Sequence, residues 1–269
     1  MIKIKTSEEI EIISEGGKIL AGIMKELEKQ VKPGIATKEL DRLAEGLILN
    51  SGSECSFKNY CVPDDSSLRD PYPSCLCTSI NEEIVHAIPS VRVLKEGDIL
   101  SLDLGLKHNG FHSDMALTVP VGEVDQKVRK LIEVTKEALE IGIKQIKPGN
   151  KIGDISRAIQ KYVEGWGFNV VRELCGHGIG KDVHEDPEIL NSVSFDKITV
   201  DKVDYYGNGE IELKEGMVLC VEPMVTVGDW RIKRSKDGFG FETKDGSLSC
   251  HFEHTIAVTK NGHSILTAL

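Results

Sequence analysis

An internal repeat constrains this chain more than any other feature of its sequence. Residues 94–103 return as residues 213–222, and residues 112–119 return as residues 251–258. Two like halves pack most simply about a twofold axis, which brings equivalent positions of the two copies together. The repeat therefore predicts that four acids meet at one place: Asp103, Asp114, Glu222 and Glu253.

Four carboxylates in one pocket repel each other strongly unless cations lie between them. His177, which has a glycine on each side, can approach the same place closely because its neighbours carry no side chains. One imidazole nitrogen and four carboxylates suit two divalent ions such as manganese, iron, cobalt or zinc. The sequence therefore predicts a site for two metal ions.

The helical segments repeat as well, and they define the fold class. A capping box at Thr6 opens a helix at about residue 7, and a second helix follows the Pro-Gly turn at 33–34. The second copy predicts a helix over about 125–146 and another after the Pro-Gly turn at 148–149. Each half is then two helices followed by strands, which is an α+β arrangement.

The two halves are expected to form a single domain over residues 1–269, with approximate limits at 1–123 and 124–269. The second copy is longer, mostly between residues 225 and 249. Residues 191–212 are predicted to form a hairpin excursion, and residues 63–73 a surface loop. The site lies between the halves, so neither half is expected to act alone.

The first pair of acids lies on a predicted hairpin. Residues 99–107 and 111–119 are expected to be strands joined by a type I′ turn at 109–110. A two-residue turn makes Asp103 and Asp114 diagonal neighbours on one face, about 7–8 Å apart at Cα. The expected register pairs are Asp103 with Ala116 and Asp114 with Gly105.

Gly105 is expected to leave open space in front of Asp114. Alone, the two aspartates are better explained as surface residues on a solvent-facing side of the hairpin, because charged residues are common there, and the duplicated acids Glu222 and Glu253 reverse that preference. Glu222 favours the buried site, because it ends an otherwise apolar strand at 218–222, where a solvated acid is out of place.

Bulk composition restricts the environment and the partners of the protein. A net charge of −10 argues against a nucleic-acid partner, and no apolar run is long enough to span a membrane. The first residues are charged rather than apolar, so a cytoplasmic location is expected. The seven cysteines are odd in number and form no CxxC pair, which predicts free, mostly buried thiols rather than a disulfide framework.

Two histidines share the pattern Val-His-x-x-Pro, namely His86 and His184. Each could be an ordinary core or surface histidine, which is the commoner case. Their matching settings near the predicted metal site favour contact with a substrate. Strand alternation also puts His112 beside Asp114 and His251 beside Glu253, where they could touch the metal ligands.

At these residues the chain resembles the methionine aminopeptidases of the pita-bread fold, and the type I group in particular. The matching segments occur in the family's order and cover nearly the whole chain: 78–89, 101–105, 110–114, 175–180, 222–224 and 252–255. The large helical insertion of the type II group is absent, because residues 184–222 are too few to hold it.

The resemblance implies particular roles for the site residues. The metal ligands it implies are Asp103, Asp114, His177, Glu222 and Glu253. His86 and His184 would contact the substrate around the scissile bond, and Tyr72 and Cys77 would line the methionine pocket. The chain departs from the family at Phe239, where many relatives have a pocket tryptophan, at Arg69, where a second pocket tyrosine is common, and in an extended segment at 64–70.

The expected activity is removal of the initiator methionine from nascent polypeptides that have a small second residue. A hydroxide bridging the metals would attack the first peptide bond, with Glu222 as general base and then proton donor. The alternatives are a proline-directed peptidase, which usually carries an extra N-terminal domain, and a binding protein that has lost its metals. The sequence leaves metal identity and ribosome association open, and a monomer is expected.

Overall fold

Four helices and seventeen strands make up the part of the chain that the computed structural model describes. That part covers residues 1–61, 70–193 and 209–269, together with the backbone of two short strands between 198 and 205. Arg69, most of the 64–70 segment and residues 206–208, where the sequence predicts a turn, lie outside the described residues. The departures expected there stay predictions.

The helices confirm the repeated helix-turn-helix pattern. They are α1 (Ser7–Gln30), α2 (Thr37–Asn50), α3 (Gln126–Ile143) and α4 (Ile152–Gly165). The capping box is present: Glu9 N donates to Thr6 Oγ1 at 3.3 Å, and Thr6 N donates to the Glu9 carboxylate at 3.0 Å. Helix α3 ends earlier than predicted, because the chain tightens there and Gln145 N donates to the carbonyl of Gly142 at 3.0 Å.

The strands are short apart from one long hairpin and the strand beside it. In chain order they are β1 (Glu54–Cys55), β2 (Leu76–Ile80), β3 (Glu83–Val85), β4 (Ile99–His108), β5 (Phe111–Pro120), β6 (Asn169–Val170), β7 (Cys175–Gly178), β8 (Glu185–Leu190), β9 (Ile198–Val200), β10 (Val203–Tyr205), β11 (Val218–Val221), β12 (Met224–Thr226), β13 (Ile232–Arg234), β14 (Phe241–Thr243), β15 (Ser249–His251), β16 (Glu253–Thr259) and β17 (Gly262–Ile265). Strands β9 and β10 pair antiparallel, which confirms the hairpin expected within 191–212.

One sheet joins the two copies of the repeat. Its path is β1-β4-β5-β16-β11-β7-β8, with β2 beside β4 and β17 beside β16. The hairpin β4-β5 belongs to the first copy, and the antiparallel pair β11-β16 is its counterpart in the second. Strand β5 pairs with β16, where Ala116 lies opposite Glu253. The acids of the two copies therefore lie near the seam of a continuous sheet.

Side-chain alternation places the two main helical cores and the acids on opposite faces of this sheet. Leu100, Leu102 and Leu104 are fully buried in a core with α1 and α2. Leu219 and Val221 are fully buried in a second core with α3 and α4. Since neighbouring residues along a strand face opposite ways, the acids next to these apolar residues point away from the helices. The helical cores thus direct the acids to one side.

A disulfide joins Cys55 to Cys75, with the two Cα atoms 5.3 Å apart. The expectation of free thiols was wrong for this pair, because β1 and the residue before β2 flank the same strand, β4, at a distance that allows a bridge. Cys77, Cys220 and Cys250 are buried free thiols, as expected. The bridge closes a loop that contains Tyr60 and Tyr72.

Among the residues that the structure describes, no helix combines the length and the apolar character needed to cross a bilayer.

Helix α1 provides a paired test of this packing. A Cβ on Gly17 would lie 2.3 Å from the backbone oxygen of Leu266, whereas a Cβ on Gly22 would meet nothing within 4 Å. We expect Gly17→Ala to lower the free energy of unfolding by about 1–3 kcal/mol, because rigid backbone must move. Gly22→Ala should raise it by about 0.5–1 kcal/mol, since alanine favours a helix. Urea denaturation measures both, and equal effects would contradict the packing of α1 described here.

Candidate metal centre and substrate pocket

Asp103 and Asp114 occupy the predicted register on the hairpin β4-β5. Asp103 lies opposite Ala116 and Asp114 opposite Gly105. The turn residues Asn109 and Gly110 both have positive φ, 48° and 86°, as a type I′ turn requires.

The expectation of open space at Gly105 was wrong. A Cβ there would meet Ser56 Cβ and Phe57 Cε1, each at 2.7 Å. The glycine is needed because the chain segment after β1 passes directly over it, and Ser56 N donates to the Gly105 carbonyl at 3.0 Å. Gly105 thus brings this segment against the site rather than leaving a gap.

Glu222, Glu253 and His177 lie in or next to three neighbouring strands of the second copy. Val221 pairs with His254 in the antiparallel pair β11-β16, so Glu222, which follows β11, and Glu253, which begins β16, lie at the same end of the pair. His177 lies on β7 opposite Cys220. The glycines beside His177 allow close approach, as predicted: a Cβ on Gly176 would lie 2.2 Å from the Cys220 carbonyl oxygen, and one on Gly178 would lie 2.1 Å from that of Asp186.

The structure brings all five predicted ligands into one buried cluster. Three overlapping groups have ligand atoms within 4.8 Å of one another: Asp103, Asp114 and Glu253; Glu222, His251 and Glu253; His177, Cys220 and Glu253. Glu253 belongs to all three groups, and His177 Nε2 lies 3.6 Å from Glu222 Oε1. One glutamate is therefore shared across the whole cluster.

Two members of these groups differ from the predicted set. His251 was expected only beside the ligands, and its Nε2 lies 3.4 Å from Glu222 Oε2. Cys220 was not singled out; its position two residues before Glu222, on the same face of β11, was the available signal. His112, in contrast, is hydrogen-bonded through Nδ1 to Ser56 Oγ at 2.8 Å and belongs to none of the groups.

Hydrogen bonds orient the ring of His177 and hold the backbone at Asp114. The Nδ1 of His177 donates to the carbonyl of Gly178 at 2.9 Å, which leaves Nε2 with a free lone pair. Thr255 Oγ1 accepts from Asp114 N at 2.9 Å and donates to the Asp114 carbonyl at 2.8 Å. Among the described side chains, Glu253 Oε1 and both ring nitrogens of His251 are buried without a hydrogen-bond partner. Buried polar atoms without partners are what cation binding would satisfy.

The cluster is electrostatically unfavourable as it stands. Desolvation raises the pKa of Asp103 to about 6. Desolvation first, and then repulsion from neighbouring carboxylates, raises the pKa values of Asp114, Glu222 and Glu253 well above the usual range. Desolvation lowers the pKa of His177 to about 4, so its imidazole is neutral and can bind a metal. The donor set fits divalent cations, which would replace this repulsion by attraction.

His184 lies beside this cluster, and His86 lies within electrostatic range of His177 and His251. The ring of His184 packs edge-on against His177, with centroids 4.4 Å apart. His86 follows β3 and has a φ of 61°. This left-handed conformation is uncommon for residues other than glycine and is found more often at functional sites. Both residues are exposed, yet nearby protein atoms desolvate the rings, lowering the pKa of His86 to about 4 and that of His184 well below its usual value.

The side chains of Tyr72, Cys77 and Phe239 lie together near Asp103. The rings of Tyr72 and Phe239 meet edge to face at 5.7 Å, and Cys77 lies opposite Asp103 in the sheet. The Tyr72 hydroxyl lies 3.2 Å from the carbonyl oxygens of Leu76 and Ala87, which holds the ring in place. Sequence reasoning missed Tyr60, whose hydroxyl lies 2.7 Å from His184 Nδ1. No motif pointed to it.

The site combines buried acids and a neutral imidazole with two exposed histidines and a pair of packed aromatic rings. This combination is typical of a metal-dependent hydrolase. The profile of metallopeptidase family M24 matches residues 11–260, and the chain belongs to this family. It is 46% identical over 269 residues to methionine aminopeptidase 1 of Bacillus subtilis, with 99% of each sequence covered.

Solved structures agree with this assignment. The chain is similar to the methionine aminopeptidase of Thermotoga maritima, with a TM-score of 0.89, 41% identity and full coverage of both chains. The prolidase of Pyrococcus furiosus has the same fold, with a TM-score of 0.74 and 24% identity over 99% of this chain and 65% of the prolidase. The predicted pita-bread fold, the resemblance to methionine aminopeptidases and the metal-dependent hydrolase class are confirmed.

Removal and restoration of metal test the centre directly. We expect metal-free protein to gain thermal stability when cobalt or manganese is added, by about 2.7 kcal/mol at a free ion concentration of 100 times Kd. Glu253→Gln should lose most of this gain, because it removes the carboxylate common to all three groups. Differential scanning calorimetry measures the shift.

The matched control is Glu133→Gln, which changes an exposed glutamate on α3. It should keep the full metal-dependent gain. Equal gains in Glu253→Gln and Glu133→Gln would show that the ions bind elsewhere.

Proposed function

We propose that this protein removes the N-terminal methionine from nascent polypeptides and prefers those with a small second residue. The observation that carries the proposal is the position of the Tyr72, Cys77 and Phe239 side chains next to the buried acid–histidine cluster. Curated relatives at 39–46% identity named methionine aminopeptidase support the same reaction. The protein would act as one catalytic domain and as a monomer in the cytoplasm.

The proposed ligands are Asp103, Asp114, His177, Glu222 and Glu253, and they would hold two divalent ions. Three of the four carboxylates have strongly raised pKa values, so ion binding would also drive their deprotonation. Such ions would supply a hydroxide nucleophile near neutral pH and polarise the peptide carbonyl. Glu253 would hold ions at the centre of this site, because it belongs to all three ligand groups.

Glu222 is the proposed general base and proton donor. It lies between His177, 3.6 Å away, and His251, 3.4 Å away. Its side chain is 11% exposed, so it is buried enough for a raised pKa yet reachable by water. A carboxylate of this kind can take a proton from the attacking water and deliver it to the leaving amine.

His86 and His184 would hydrogen-bond with the substrate around the scissile bond. Each ring is neutral near pH 7 and thus offers one N–H donor. Donors at the carbonyl oxygen stabilise the negative charge that develops during attack. Their separate positions after β3 and before β8 let them approach the substrate from two sides.

The pocket chemistry suits a methionine side chain. A thioether is flexible and makes favourable contacts with aromatic rings, and the rings of Tyr72 and Phe239 pack together next to the acid cluster. The buried thiol of Cys77 adds a polarisable wall. We expect Phe239 to serve where a tryptophan is common in relatives.

Peptide specificity separates this proposal from its rivals. We expect turnover of Met-Gly-Met and no turnover of Xaa-Pro dipeptides by the cobalt- or manganese-loaded protein, with Met-Leu-Met cleaved far more slowly. Chromatography of the released N-terminal amino acid, methionine from the two methionyl peptides and Xaa from the dipeptides, measures the three rates. Faster cleavage of Xaa-Pro would establish a proline-directed peptidase. If the protein takes up no metal and cleaves none of these peptides, it is a binding protein on the same scaffold.

A conservative substitution tests the role of Glu222. Glu222→Gln should lower kcat by more than about a hundredfold, because the amide cannot accept the proton of the attacking water. Circular dichroism should show an unchanged fold, and metal analysis should be made on the same samples. Glu140→Gln, on the exposed face of α3, is the control and should keep full activity. A fully active Glu222→Gln protein would refute the assignment.

A further inference from the structure

Tyr60 contacts a proposed substrate-binding histidine directly. Its hydroxyl oxygen lies 2.7 Å from His184 Nδ1, and the two rings meet edge to face with centroids 5.2 Å apart. The distance is typical of a strong hydrogen bond. Tyr60 was absent from the predicted site, and nothing in the proposed function assigns it a role.

The backbone around Tyr60 holds this contact in place. Asn59 N donates to the Tyr72 carbonyl at 2.8 Å, and Tyr72 N donates to the Tyr60 carbonyl at 2.9 Å. These two bonds tie Tyr60 to the pocket residue Tyr72. The disulfide between Cys55 and Cys75 closes the same loop. The phenol is therefore held by the fold rather than by its contact with His184 alone.

Two proton arrangements could give the observed contact. The phenol could donate to Nδ1, or an Nδ1–H could donate to the phenol oxygen. Desolvation raises the pKa of Tyr60 to about 12, so the phenol keeps its proton near neutral pH. An O–H group beside a basic ring nitrogen makes the stronger bond as donor, because the nitrogen lone pair is the better acceptor. This favours donation by Tyr60.

We propose that Tyr60 is a positioning residue that donates its hydroxyl proton to His184 Nδ1 and so holds His184 as the Nε2–H tautomer. The N–H at Nε2 is then available to the carbonyl oxygen of the substrate. This inference rests on the proposed function for its catalytic meaning, but the tautomer itself is a property of the protein alone.

The neighbouring His177 is held in the opposite tautomer. Its Nδ1–H donates to the Gly178 carbonyl, which frees the Nε2 lone pair. The centroids of the two rings are 4.4 Å apart, and the rings have different roles. His177 presents a nitrogen lone pair to a cation, and His184 presents an N–H group to the substrate. Without Tyr60, His184 could present a second lone pair to the cations instead.

Nuclear magnetic resonance reads the tautomer directly. Long-range ¹H–¹⁵N correlation spectra of metal-free, ¹⁵N-histidine-labelled protein distinguish Nδ1–H from Nε2–H at each ring, and a His184→Asn sample assigns the His184 signals. We expect the Nε2–H pattern for His184 in the wild type. Tyr60→Phe should shift it toward Nδ1–H or a mixture, while the Nδ1–H pattern of His177 stays unchanged.

The control is Tyr162→Phe, which removes a hydroxyl that donates to Glu137 on the helical side of the molecule. It should leave the His184 pattern as in the wild type. An Nε2–H pattern that persists in Tyr60→Phe would overturn the role of Tyr60. An Nδ1–H pattern in the wild type would overturn the tautomer, even if the variant failed to fold.

Steady-state kinetics adds the catalytic readout. Tyr60→Phe should lower kcat on Met-Gly-Met by roughly tenfold to a hundredfold, the range for groups that orient a functional histidine. KM should change little, because the ring remains in place. If the wild type releases no methionine, the proposed function fails while the spectra still decide the tautomer. Normal kcat in a variant with an altered tautomer would show that the N–H at Nε2 does not contribute.

Discussion

Four buried carboxylates repel one another at the centre of this fold, and the surrounding structure holds them together. Asp103, Asp114 and Glu253 are each at most 7% exposed, and Glu222 is scarcely more accessible. Like charges a few ångströms apart in a desolvated site cannot all ionise without cations. The sheet, its two helical cores and the glycines around His177 keep these groups together. The fold therefore maintains an arrangement that becomes favourable when divalent ions bind, which is the property a metallopeptidase of this family needs.

The two copies of the repeat contribute unequally to the site. The first supplies the aspartates, whose long hairpin sets their spacing through a two-residue turn. The second supplies both glutamates and His177, and its shorter strands end at the cluster. The groups proposed to contact the substrate come from the loop with Tyr60 and Tyr72 and from the turn before Phe241. Approximate symmetry thus accounts for the four clustered acids, and its loss accounts for the proposed pocket.

Much of the site was predictable because it follows local rules. Strand alternation and one turn type placed Asp103 and Asp114 in their observed register, and the repeat then located Glu222 and Glu253. The failures involve contacts between segments distant in sequence. Gly105 indicated open space, but the chain after β1 fills it. The Cys55–Cys75 bridge and the bond from Tyr60 to His184 join residues 20 and 124 positions apart. Neither periodicity nor motif spacing encodes such contacts.

Anomalous X-ray diffraction from crystals grown with manganese or cobalt would show directly whether two ions bind among these carboxylates. We expect two strong anomalous peaks inside the buried cluster, with Glu253 bound to both ions and His177 Nε2 bound to one. Each ion should have oxygen or nitrogen ligands at about 2.0–2.2 Å, the range for first-row ions in proteins. Anomalous peaks only at surface sites, with the four carboxyl groups hydrogen-bonded to one another through shared protons, would show that this cluster does not bind metal.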